Sequence, residues 1–122
     1  MINPELVQLV RERQSSWKED QLILIHERTI EAKREIRRLI ESFRAENPSL
    51  GRIVLFGSLA SGVSDRLDFD IDLSFEGSEY YRCVALSLDS IFKVDLVDYR
   101  AAAPFIRNEI DSKGIVVYEP KS

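Results

Sequence analysis

The sequence predicts an α/β or α+β domain: a mixed β-sheet of about four strands packed with helices, led by a long N-terminal helix. Three observations carry this. A helical pattern fills most of the first 50 residues, the hydrophobic period switches abruptly to a strand-like one after Gly51, and two shorter helical stretches are interleaved with the strands that follow. At 122 residues the chain is long enough for one layered core and not for two. The expected division is a helical arm and long helix over 1–50 and a compact core over 51–122.

Each element has its own local signal. Asn3 and Pro4 read as the cap and first position of a helix. A second helical stretch runs from Trp17 to Glu46, where Leu22, Ile25, Thr29, Ala32, Ile36, Leu39 and Phe43 follow alternating steps of three and four. Asn47-Pro48 ends it. "RIVLF" at 52–56 is a continuous apolar run suited to a buried central strand. "FDIDLSF" at 69–75 alternates, which buries Phe69, Ile71, Leu73 and Phe75 on one side. Residues 78–92 return to helix, with Ser78 as cap and Tyr81, Val84, Ala85, Leu88 and Ile91 on one face. "KVDLVDY" reads as a third strand, a helix runs from Pro104 to Gly114, and "IVVYE" is the last strand.

Composition narrows the function classes. The net charge of −4 is unevenly spread: residues 1–50 hold nine basic and nine acidic side chains, whereas the remainder holds eight and twelve. A nucleic-acid binder is more often basic throughout, and the Lys33, Arg34, Arg37 and Arg38 group is interleaved with Glu31, Glu35 and Glu41 as a solvated helix face. Direct nucleic-acid binding is therefore not expected. No apolar run is long enough to span a membrane, and the N-terminus lacks the order of a secretory signal. A single cysteine, Cys83, fits a reducing, cytoplasmic setting.

The chemistry concentrates in "VLFGSLASGVSDRLDFDIDLSF" at 54–75. Asp68, Asp70 and Asp72 alternate with apolar residues, which lines one face with like charges. Two carboxylates about 4 Å apart repel by roughly 4 kcal/mol at an effective dielectric near 20. Full hydration or a divalent cation relieves this, and Asp70 and Asp72, two apart on a strand, would project together toward one or two Mg²⁺ ions. Gly57 and Ser58 follow a buried strand and lead through "LASG" toward a short helix, a place where backbone N–H groups can cradle phosphate. Asp95 lies in an apolar third strand, from which a neighbouring position would bring it beside Asp70 and Asp72. A calcium-loop reading fails because Leu73 stands where that loop needs glycine.

A Gly-Ser turn after a strand, Asp-x-Asp on the next strand and a further carboxylate on the third form a specific combination. With "FGS" at 56–58, "DID" at 70–72 and "VDL" at 94–96, the sequence resembles the nucleotidyltransferase superfamily of DNA polymerase β, and within it the minimal nucleotidyltransferases (MNT). The resemblance runs from Arg52 to Tyr99. It implies that Asp70, Asp72 and Asp95 bind Mg²⁺, with Mn²⁺ as a substitute, and that Gly57 and Ser58 hold the triphosphate of ATP. A basic residue often follows "GS-x-A" in the family; here Ser61 occupies that place and Arg66 is the candidate replacement. Eleven residues separate Ser58 from Asp70, one more than is common, so Asp68 with Asp70 stays open as an alternative pair.

The resemblance further implies transfer of AMP from ATP to a hydroxyl acceptor, a tyrosine on a HEPN-type toxin that this chain would restrain as antitoxin. A non-catalytic antitoxin acting by contact alone is the alternative. The N-terminal helices offer a surface for such a partner or for a homo-oligomer. His26 reads as a partly packed helix residue, Cys83 as a core or boundary residue, and Trp17 as an anchor to the domain or to a partner.

Overall fold

The structure, a computed structural model, describes residues 2–62 and 67–121. The two helical stretches expected at the N-terminus are one continuous helix, α1 (Pro4–Glu46), of 43 residues. Nothing between Ser15 and Trp17 breaks a helix, so the pattern simply continues. Asn3 caps it by accepting the Glu5 N–H at 2.9 Å, and Asn47 closes it. At about 1.5 Å per residue the helix is roughly 65 Å long, far longer than the sheet it crosses.

The strands are β1 (Ile53–Phe56), β2 (Ile71–Phe75), β3 (Val94–Asp98) and β4 (Ile115–Tyr118), and the shorter helices are α2 (Tyr80–Leu88) and α3 (Pro104–Lys113). The sheet order is β3-β2-β1-β4. β1 runs antiparallel to both β2 and β4, while β2 and β3 are parallel, so the sheet is mixed. α2 makes the crossover that a parallel pair requires. "RIVLF" takes the central position expected from its continuous apolar character.

The core lies between one sheet face and α1. Ile53, Leu55, Ile71, Leu73, Phe75 and Leu96 meet Ala32, Ile36, Leu39, Ile40 and Phe43. Phe43 and Phe75 pack edge to face at 6.1 Å between ring centres. The expected α1 stripe holds from Ile25 to Phe43, but Leu22 is exposed because the sheet does not extend so far along the helix. The other sheet face is partly covered by α3, whose buried Ile110 and following Gly114 approach Val54. Gly114 ends α3 as expected, and a Cβ there would collide with Val54 and the Ile110 carbonyl.

Three sequence expectations need correction. α2 is shorter than 78–92, and Glu79, not Ser78, occupies its cap; the Ser78 hydroxyl instead donates to Asn47. Of its expected apolar face only Val84 packs against the core. Tyr81, Leu88 and Ile91 are exposed, whereas Cys83 and Ser87 face the core and Tyr80 donates its hydroxyl to the Leu96 carbonyl. On so short a helix, two neighbouring stripes are almost equally apolar, and the Tyr80 hydrogen bond to β3 selects between them. Finally, "LASG" forms successive turns rather than a helix. Ser61 N donates to the Gly57 carbonyl at 3.3 Å, and Gly62 N to that of Leu59 at 3.4 Å.

Candidate active site

β2 begins at Ile71, so Asp70 stands at its entrance, Asp72 lies within it, and Asp68 sits in the bend before it. Alternation along β2 turns Ile71, Leu73 and Phe75 into the core, which sends Asp72 and Ser74 to the opposite face. The expected alternation is thus observed, with its strand two residues shorter at the start. The parallel register places Asp72 directly opposite Asp95 of β3. Antiparallel pairing places it opposite Phe56, the residue before Gly57. Three separate sequence segments therefore converge at one end of the sheet, and only the strand order could show it.

The charges there act on one another. Asp72 is half-buried, and its carboxyl is pushed above the ordinary carboxylate value by burial first, then by the charges of Asp95 and Asp70. Lys93 acts in the opposite direction, with Nζ 3.6 Å from Asp70 Oδ2. Asp95 is exposed at the sheet edge, although its strand neighbours are apolar. Ile71 N donates to the Lys93 carbonyl at 2.9 Å, which locks the start of β2 to β3 and holds the aspartates in register.

Gly57 is a requirement of this geometry. It adopts φ +76°, a left-handed conformation, and a Cβ there would collide with the Asp72 carboxylate. The turn thus seats the Asp72 side chain against bare backbone. Ser58, next in the chain, is exposed beside it. The Ser61 hydroxyl donates to the Ser58 carbonyl at 2.7 Å. Arg66 lies outside the described residues.

Lys93 is the residue that reading the sequence missed, although it immediately precedes the Val94-Asp95 pair. His26 is exposed on α1, bordering a shallow hollow with Leu59 and Gly62 rather than partly packed. Cys83 is fully buried in α2, with its thiol pushed up to about 11, chiefly by burial. A hollow of about 670 Å³ lies at the other end of the sheet around Gly51, Glu76, Tyr99 and Asp111, away from the aspartates.

A carboxylate pair on adjacent strands beside a glycine turn suits an oxygen-seeking divalent cation. Among the described residues, no three His, Cys, Asp or Glu side chains already converge as a complete metal cage. Asp72 and Asp95 are neighbours by register, while Asp70 leans on Lys93.

Residues 38–122 match the family model described as Polymerase beta, Nucleotidyltransferase. No curated protein matches the chain at a significant level. Among solved structures, a toxin–antitoxin complex with AMP-PNP is similar at 25% identity and a TM-score of 0.57, over 73% of this chain and 74% of that one. The tri-AMPylated Shewanella oneidensis HEPN toxin in complex with MNT antitoxin is similar at 22% identity and a TM-score of 0.53, covering 75% and 73%. The toxin–antitoxin MntA-HepT is similar at 22% and 0.51, covering 72% and 70%. In the last two the likeness is one of fold. The family match takes in every strand and the whole aspartate site, and with it the chain belongs to the Polymerase beta nucleotidyltransferase family.

Proposed function

We propose that this chain is an antitoxin nucleotidyltransferase that moves AMP from ATP to a tyrosine hydroxyl of a HEPN-type toxin. The observation that carries the reading is the register pairing of Asp72 with Asp95, with the Asp72 side chain seated against Gly57. The likeness to a toxin–antitoxin complex containing AMP-PNP, and to one whose HEPN toxin is tri-AMPylated, supports the substrate and acceptor.

Asp70, Asp72 and Asp95 would hold Mg²⁺, or Mn²⁺ in its place. The ion would supply neutralisation of the triphosphate and polarisation of the α-phosphate. Backbone N–H groups at Gly57 and Ser58 would bind phosphate oxygens, with the Ser58 hydroxyl adding a donor. Release of Asp70 from Lys93 would complete the carboxylate set and leave the Lys93 ammonium as a further contact for phosphate. Asp95, exposed at the edge of the site, would accept the proton of the incoming hydroxyl. The tyrosine oxygen bonds to the α-phosphorus as the link from that phosphorus to the β-phosphate oxygen breaks, and pyrophosphate leaves. The core at 51–122 would carry this chemistry, with α1 as its scaffold.

A second reading, a binding module that restrains its partner by contact alone, is favoured by one observation. The position where relatives often place a cation is Ser61, whose hydroxyl turns back onto the Ser58 carbonyl. Titration calorimetry with ATP, with and without Mg²⁺, on wild type and Asp72→Asn, tests the site. Magnesium-dependent binding lost in the variant is the expected result, followed by transfer of labelled AMP to a co-purified HEPN partner. Absence of binding in the presence of that partner would leave the contact reading.

A further inference from the structure

We propose that the N-terminal arm of α1, residues 4–24, pairs antiparallel with the same arm of a second copy of this chain. The family match begins at residue 38, and no residue from 4 to 24 is buried, so the arm is an addition to the catalytic fold that the domain does not cover. Most helical stability in proteins comes from packing of an apolar face rather than from intrinsic propensity, and within this chain the arm has no such packing.

That face is visible in the exposures. Leu6, Leu9, Val10, Trp17, Ile23 and Leu24 are each 47–63% exposed. At 100° per residue they gather on one side, rotated away from the stripe formed by Ala32, Ile36 and Phe43. Arg13 and Asp20 lie in the same apolar strip, seven residues apart and both exposed. Their opposite signs select the occupant and its direction. A parallel pair in register sets Arg13 against Arg13 and Asp20 against Asp20. An antiparallel pair centred between Ser16 and Trp17 sets Arg13 against Asp20 twice, Leu9 against Leu24, and Val10 against Ile23. This one register thus satisfies both charges and sets Leu9, Val10, Ile23 and Leu24 against one another, with the two Trp17 side chains adjacent at the centre.

Sedimentation of the full chain, together with emission from Trp17, its only tryptophan, tests this. The expected result is a concentration-dependent dimer with blue-shifted emission. Arg13→Asp and Asp20→Arg should each weaken it by about tenfold or more, because two facing pairs become like-charged. The double exchange should restore it. A monomer at every concentration with solvent-like Trp17 emission would overturn the proposal, as would a dimer indifferent to both single reversals.

Discussion

Replacing Asp72 with asparagine should stabilise the metal-free protein, an unusual outcome for a half-buried strand residue. Asparagine keeps the shape that rests on Gly57 and removes the charge that faces Asp95 and Asp70. Adjacent strands lie about 4.8 Å apart, so the facing carboxylates are separated by about 5 Å. At that separation the repulsion is roughly 3 kcal/mol for an effective dielectric near 20 and about 0.8 kcal/mol in bulk water. Because Asp95 is exposed and Lys93 offsets part of the field, the lower half of that range applies, about 1–2 kcal/mol. With an unfolding entropy of about 2.1 cal/mol/K per residue, 1 kcal/mol corresponds to roughly 4 °C for a chain of this length. A thermal melt at neutral pH without divalent ions should therefore rise by about 4–8 °C. The gap also has a pH signature. Asp72 titrates above its ordinary 3.8 in the folded state, so the native protein takes up this proton before the unfolded chain does. Wild-type stability is penalised at pH above the folded value, recovers as pH falls through it, and is free of the penalty below 3.8. The two melting curves should converge across that window. An Asp72→Asn melt equal to or below wild type, with a gap independent of pH, would refute electrostatic strain and assign Asp72 a structural hydrogen bond.

Gly57→Ala should cost roughly 1–2 kcal/mol from left-handed backbone alone, and it should also displace the Asp72 carboxylate and abolish Mg²⁺-dependent ATP binding; urea unfolding and calorimetry separate the two effects. Glu35, buried and held below its ordinary 4.5 chiefly by hydrogen bonding from Arg38, stabilises the fold above that value and loses the contribution as pH falls through its depressed one. Glu35→Gln should therefore cost about 1–2 kcal/mol at neutral pH and flatten the acid limb of a stability–pH curve. The Cys83 thiol, buried and pushed up to about 11, should react with a thiol reagent only at the rate of unfolding, so denaturant should accelerate modification steeply.

The contrast between what could and could not be read from the sequence has a physical basis. "FDIDLSF" announced its buried face because four apolar residues at period two leave one register, and Phe69, Ile71, Leu73 and Phe75 are indeed buried. α2 offered no such constraint: nine residues with apolar side chains around most of the cylinder admit two faces, and the choice rests on Tyr80 reaching the Leu96 carbonyl. The aspartates were legible as residues, but their meeting was not. Asp72 and Asp95 are 23 positions apart, and their apposition depends on β2 and β3 being parallel neighbours with α2 as crossover. Lys93 was overlooked for the same reason, since its tie to Asp70 crosses that strand boundary.

The division of α1 also has consequences for how the site is held. From Ile25 to Phe43 the helix forms the floor under β1 and β2, whose ends carry Gly57 and the aspartates. The site therefore sits on strands whose inner faces are fixed by close packing against α1, while its outer side stays open to solvent. Repulsion between Asp72, Asp95 and Asp70 cannot relax by moving the strands, because Ile71, Leu73 and Leu96 anchor the same backbone from below. It relaxes at the side chains, by hydration where Asp95 is exposed, by taking up a proton, by leaning on Lys93, or by binding a cation. A rigid floor under mutually repelling carboxylates thus favours cation binding over backbone rearrangement. The arm that precedes Ile25 shares the helix but not this floor, so the proposed pairing of arms would leave the aspartates in place.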